Sequence, residues 1–140
     1  MSVEAREYLE QIEKNERMIK NKQYERAYWL GMATSTTATL GGDRVQTSGN
    51  KQQMELQVVE AAQADEDIKR LKREIADIIS TIQRLSVEDY DFLHKVYVQH
   101  KSLKVVHCEA HKSYSWATTT HQRALERLQA ILDNKKGAGG

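Results

Sequence analysis

The sequence predicts an all-α protein: a long antiparallel helical hairpin or coiled coil over residues 1–85, then a C-terminal helix-turn-helix over residues 86–136. Three observations predict it. Ile68, Leu71, Ile75, Ile78, Ile82 and Leu85 follow one another at spacings of 3, 4, 3, 4 and 3, the period of a helical seam. The chain has no proline, so ring sterics break no helix. After Ser86 the long pattern gives way to three short helical stretches, each preceded by a serine able to cap it.

The first element is an amphipathic helix over residues 3–32, with Ala5, Leu9, Ile12, Ile19 and Leu30 at helical spacing. Glu16, Gln23 and Arg26 interrupt its seam. Residues 33–50, "ATSTTATLGGDRVQTSGN", mix Gly41, Gly42 and Gly49 with Ser and Thr and are expected to form a long loop. Its "GGDRVQTSGN" lacks the GK[ST] ending and the preceding strand of a phosphate-binding loop and reads as a hairpin connection. Arg44 in it is a candidate contact to DNA or a partner. The second long helix, residues 51–85, carries the Ile/Leu seam, extended backwards by Met54, Val58 and Ala61. At about 1.5 Å per residue such a rod needs a partner along its length. The first helix offers a poor seam, so Ile68, Leu71, Ile75, Ile78, Ile82 and Leu85 are expected to form an oligomer interface, in a homodimer or a higher oligomer.

From Ser86 the reading is of three capped helices. Ser86 and Asp89 form a candidate capping box, followed by a face of Val87, Tyr90, Leu93, Val96 and Tyr97. Ser102 caps a short helix bearing Leu103, Val105, Val106 and Ala110. His111-Lys112 turns the chain, and Ser113 caps the last helix, with Trp116, Ala117, Ala124, Leu125, Leu128, Ile131 and Leu132 inward. Residues 137–140 read as a disordered tail.

In a helix-turn-helix the last helix enters the major groove, and its first residues meet base edges. Here the outward positions are Ser113, Tyr114, Ser115, Thr118, Thr119 and Gln122. Gln pairs with adenine, Thr methyls touch thymine methyls, and hydroxyls donate or accept. Lys101, Lys104, Lys112, Arg123 and Arg127 are candidate phosphate contacts, with a salt bridge to Glu126 or Glu109 as the other reading of Arg123. Trp116 is expected to anchor the core.

The segments "YDFLHKVYVQHKSL" and "SYSWATTTHQRALERLQAIL" resemble the helix-turn-helix of sigma-factor region 4, and most closely the small phage-encoded regulators of the RinA/ArpU type from Gram-positive bacteria. "YVQHKSL" is similar to that family's step between helices, and "HQRALERL" to its closing motif. "EYLEQIEKNERMI" and "GGDRVQTSGN" are similar to one phage branch, so the resemblance covers most of the chain. It departs at His107, where the family usually has a small residue, and at His111, where it usually has glycine. The resemblance implies a phage late-gene transcriptional activator that binds double-stranded promoter DNA and touches host RNA polymerase. Two other classes compete: a small terminase-like packaging protein, and a helical module that engages a host protein without DNA.

Composition limits the rest. With 21 basic and 20 acidic side chains the net charge is +1, so any footprint for nucleic acid is local rather than global. A lone cysteine, Cys108, excludes an internal disulfide and suits a reducing compartment. The charged start and short apolar runs predict a soluble protein of the bacterial cytoplasm that makes no contact with membrane. His107, Cys108 and His111, with His100 and His121 elsewhere, invite a metal reading. Cys108 is about 100° around the helix from His107, and neither a second Cys pair nor an HExxH pattern accompanies them. No metal, cofactor or catalytic residue is expected, and no nucleophile–base arrangement stands out.

Overall fold

The computed structural model describes residues 4–40 and 48–139, with side chains for 4–33 and 52–134. The protein is all-α. Five α-helices follow in order: α1 (Ala5–Leu40), α2 (Ser48–Ile82), α3 (Val87–Leu93), α4 (Leu103–Glu109) and α5 (Tyr114–Gly139). A π-helical turn, His94–Val98, continues α3. Two compact units divide the chain. One comprises residues 1–15 and 74–140, the other residues 16–73. The division therefore does not fall at the expected 85/86 boundary: the helix-turn-helix shares its unit with the first turns of α1 and the end of α2.

In the first unit, α1 and α2 run antiparallel. Asn15 Nδ2 donates to Glu74 Oε2 at 2.9 Å, and the Tyr8 hydroxyl donates to Thr81 Oγ1, also at 2.9 Å. Leu9 and Ile12 of α1 are fully buried with Ile78 and Ile82 of α2, Leu93 of α3, and Ala124, Leu125 and Leu128 of α5. Each of these leucines and isoleucines contributes roughly 1.5–3 kcal/mol on leaving water. Ala5 N–H donates to Gln129 Oε1 at 2.7 Å, tying the start of α1 to α5. Apolar residues that looked like a weak seam are thus sufficient, because they meet three other helices rather than one.

In the second unit, Lys22 Nζ lies 3.5 Å from Asp67 Oδ2 and Arg26 Nε 3.4 Å from Asp65 Oδ1, again an antiparallel pairing of α1 with α2. Ile19 and Ala33 of α1 are buried, as are Ala61, Ala64, Ile68 and Leu71 of α2.

These burials correct the oligomer expectation. Ile68, Leu71, Ile78 and Ile82 are 6% exposed or less within one chain, and Ile75 and Leu85 are partly buried. The seam is consumed by the chain's own hairpin and cannot also serve a partner.

Three further boundaries differ. The expected loop 33–50 is helical over its ends: α1 continues to Leu40 and α2 starts at Ser48. Thr and Ser cost only tenths of a kcal/mol each in a helix, and no glycine or proline stands between Ala33 and Leu40. Residues 41–47, with Arg44, lie outside the described residues. At the other end α5 reaches Gly139 where a disordered tail 137–140 was expected. Glycine lowers helix propensity by about 1 kcal/mol without forbidding the helix, and Gly140 is outside the described residues. Finally, the helix after Ser86 is not uniform. It continues as a π turn from His94, and its inward face runs through Asp89, Phe92 and Leu93, so Val87 is 83% exposed while Phe92, which the helical spacing left out, is buried.

Candidate nucleic-acid interface

Local chemistry positions the C-terminal helices. All three expected serine caps form. Ser86 Oγ accepts from Asp89 N–H at 3.2 Å, Ser102 Oγ from Val105 N–H at 3.2 Å and Ser113 Oγ from Trp116 N–H at 3.0 Å. Each satisfies one of the N–H groups that a helix start leaves unpaired. The capping box at Ser86 is only half made, because the Asp89 carboxylate turns instead to Arg127, 2.7 Å away.

The turn between α4 and α5 is set by His111, which adopts φ 57°. Its N–H donates to Cys108 O at 3.2 Å, and Lys112 N–H donates to His107 O at 3.0 Å. This is a Schellman closure with a histidine in the position that glycine usually takes. His107 reinforces it, its Nδ1 lying 3.0 Å from Lys112 O. Since a carbonyl only accepts, Nδ1 carries the hydrogen and Nε2 is left to face Cys108 Sγ at 3.7 Å. His100 is also left-handed, φ 59°, and ends the π turn, where Lys101 N–H reaches back to Lys95 O at 3.0 Å.

Phe92, Val106 and Ala117 form a small core joining α3, α4 and α5, with Val96, Leu103 and Trp116 packed against it. Trp116 meets Phe92 edge to face at 5.7 Å, so it anchors the core as expected. This core fixes which side of α5 is inward. Ala117 and Ala124 are fully buried. Ser113, Tyr114, Ser115, Thr118, Thr119, Gln122 and Arg123 are all exposed.

Ser115, Thr118, Thr119 and Gln122 occupy an arc of about 100° on α5, with Tyr114 and Arg123 on opposite flanks. Thr118 Oγ1 donates to Ser115 O at 3.0 Å, and Gln122 Nε2 donates to Glu126 Oε1 at 3.3 Å. The hydroxyl and the amide oxygen each keep accepting capacity. The Tyr114 ring stands edge-on to His107 at 5.6 Å.

The candidate phosphate contacts separate into two groups. Lys104, Lys112 and Arg123 are exposed, and no ion pair engages them among the described residues. Lys101 and Arg127 are engaged. Lys101 Nζ sits 2.9 Å from Glu109 Oε1. Arg127 binds Asp89, whose side chain is 5% exposed, and that contact holds the guanidinium charge even more firmly than usual. Arg127 therefore fastens α5 to α3, and Lys101 braces the start of α4 against its end. Neither of the salt bridges considered for Arg123, to Glu126 or to Glu109, forms among the described residues.

A groove of about 470 Å³ runs along the α3 side of α5. Phe92, Val106 and Trp116 lie at its apolar part, Glu88 and Asp91 on one side, and Lys112 and Arg123 on the other. Sequence reasoning missed the buried Asp89 and its pairing, since nothing local marks a partner in α5. It also missed that His121 faces the Tyr97 hydroxyl at 2.8 Å. Burial, with the nearby Arg6 charge, lowers the His121 pKa, and burial raises that of Tyr97. Among the described residues no group of three or more His, Cys, Asp or Glu is arranged to hold a metal ion. No helix there is long and apolar enough to cross a membrane.

No family model, curated protein or solved structure matches this chain.

Proposed function

We propose that this protein is a phage-type transcription regulator that binds promoter DNA, as an oligomer, through its C-terminal helix-turn-helix. The reading is of binding without chemistry. It draws on the resemblance of residues 90–132 to the RinA/ArpU regulators, and the contact with host RNA polymerase that the resemblance implies belongs to the same proposal.

One observation carries it. The polar stripe Ser115, Thr118, Thr119 and Gln122 stands open on a helix whose other side is fixed by Trp116, Ala117 and Ala124. None of the described residues covers that stripe; exposed Lys112 and Arg123 line the groove along the helix's flank, and Lys104 is exposed on α4, as cations that reach phosphates beside a base-reading helix must be. Of the candidate contacts, Lys101 and Arg127 drop to supporting roles because their charges are already paired.

The test is fluorescence anisotropy with promoter duplexes at two salt concentrations. Affinity is expected to fall steeply with salt. Arg123→Ala should weaken all duplexes alike and reduce the log–log salt slope by about 1. Gln122→Ala should cost about 1–3 kcal/mol on the preferred site and little elsewhere. Unchanged binding after residues 113–123 are scrambled on their exposed face, with helicity intact, would falsify the assignment.

A further inference from the structure

The groove along the α3 side of α5 has the size and the lining of a small-molecule site. Its volume of about 470 Å³ lies within the range of about 300–1,000 Å³ usual for such sites. Phe92 and Val106 form a buried apolar floor, and the Trp116 ring beside them is only partly buried. Trp116, Thr120 and Arg123 fall within about 60° of one another around α5. An aromatic ring, a hydroxyl and a guanidinium therefore share one wall.

The charges of the lining are nearly balanced, and the imbalance is local. Three carboxylates line the groove, those of Glu88, Asp89 and Asp91, against four cations, Lys95, Lys112, Arg123 and Arg127. Asp89 is held by Arg127 at 2.7 Å and Asp91 by Lys95 at 3.3 Å. Glu88 also acts on the Arg127 guanidinium and strengthens the hold on its charge. The excess of one positive charge thus falls on the side of Lys112 and Arg123, which no ion pair engages among the described residues. Thr120 stands one turn before Arg123. Its hydroxyl is buried and has no hydrogen-bond partner among the described residues. Buried hydroxyls are ordinarily paired, and an acceptor entering the groove beside Thr120 supplies the partner.

We propose that this groove binds a small aromatic acid with a single negative charge. The carboxylate accepts hydrogen bonds from the Arg123 guanidinium and the Thr120 hydroxyl, and the ring lies against Trp116. Lys112 adds to the attraction, while Glu88 and Asp91 across the groove disfavour a second negative charge. Arg123 is also a candidate phosphate contact, so an acid held there withdraws that cation from DNA. This last consequence rests on the proposed function and makes the groove a regulatory site for it. Binding of the acid itself does not depend on DNA.

Nuclear magnetic resonance titration of the full chain with 2-naphthoate tests the site, with the neutral 2-naphthalenemethanol as its uncharged counterpart. Shifts on adding naphthoate should concentrate at Phe92, Val106, Trp116, Thr120 and Arg123. A charge-assisted hydrogen bond separates the two probes, so the alcohol should bind roughly tenfold or more weakly. Arg123→Ala should bring naphthoate down to the affinity of the alcohol. Lys14→Ala, which removes an exposed cation elsewhere in the same unit, should change nothing. Thr120→Val should weaken naphthoate several-fold and leave the free protein at least as stable in urea, because it removes a hydroxyl without a partner. Shifts absent from the groove overturn the proposal. So does equal affinity for the two probes, or naphthoate binding indifferent to Arg123→Ala. Naphthoate should also lower duplex affinity in the anisotropy assay. A protein that binds naphthoate in the groove but no duplex counts against the regulator reading alone. One that binds duplex through Arg123 but leaves naphthoate free counts against the acid site alone.

Discussion

His111 occupies a backbone conformation that costs an L-residue roughly 1–2 kcal/mol and costs glycine almost nothing. Glycine also loses more freedom on folding, so the two effects partly offset each other. His111→Gly is expected to stabilise the protein by about 1 kcal/mol, read as a higher urea midpoint at unchanged slope. His121 makes a second prediction at this scale. It is buried against Tyr97 and Phe92, and that burial, followed by the Arg6 charge, favours its neutral form in the fold. A lowered histidine pKa means that the stabilisation is complete above the ordinary value of 6.5 and is lost as pH falls below it through the lowered value. Thermal midpoints measured from pH 7.5 down to pH 5 should therefore fall, and His121→Phe should flatten that fall. An equal slope in both proteins would remove His121 as the cause.

At the scale of an element, what was legible depended on the range of the interaction. The caps at Ser86, Ser102 and Ser113 were readable because each is settled by residues three positions apart. The α2 seam was readable as buried, but the sequence could not say against what. Its residues meet α1 and α5 of the same chain, and those meetings are long-range. Asp89 was readable only as a capping residue, since its partner Arg127 is 38 positions away. The π turn over His94–Val98 was not readable, because nothing in "HKVYV" distinguishes it from α-helix. The stripe on α5 was visible as a polar face, though not which of its flanking cations were already paired. Ser113 permits a test of the element as a whole. Ser113→Ala removes the cap and should cost about 1 kcal/mol, the usual value for such a loss. Hydrogen exchange should locate the effect in the first turn of α5, around Trp116 N–H. A uniform increase over the whole chain would mean that the cap does not act locally.

For the whole molecule, the telling fact is that the core of the helix-turn-helix unit is drawn from both ends of the chain. Leu93, Leu125 and Leu128 are buried not only by one another but by Leu9 and Ile12 near the start, and by Ile78 and Ile82 at the end of α2. The independent core of α3, α4 and α5 is much smaller, with Phe92, Val106 and Ala117 at its centre. A fragment cut at the apparent sequence boundary, residues 86–136, leaves the larger cluster open. Each of its leucines would return to water at roughly 1.5–3 kcal/mol. That loss is comparable with the whole stability of a small domain, about 5–15 kcal/mol. The fragment should therefore melt without a cooperative transition, whereas the full chain should show one. A milder version of the same argument uses the full chain. Leu128→Ala should cost about 2–5 kcal/mol, while Tyr28→Glu in the other unit should change the stability of this core by under about 0.5 kcal/mol, as surface changes usually do. A fragment 86–136 that melted as sharply as the full chain would show that the terminal segments decorate the motif rather than complete it.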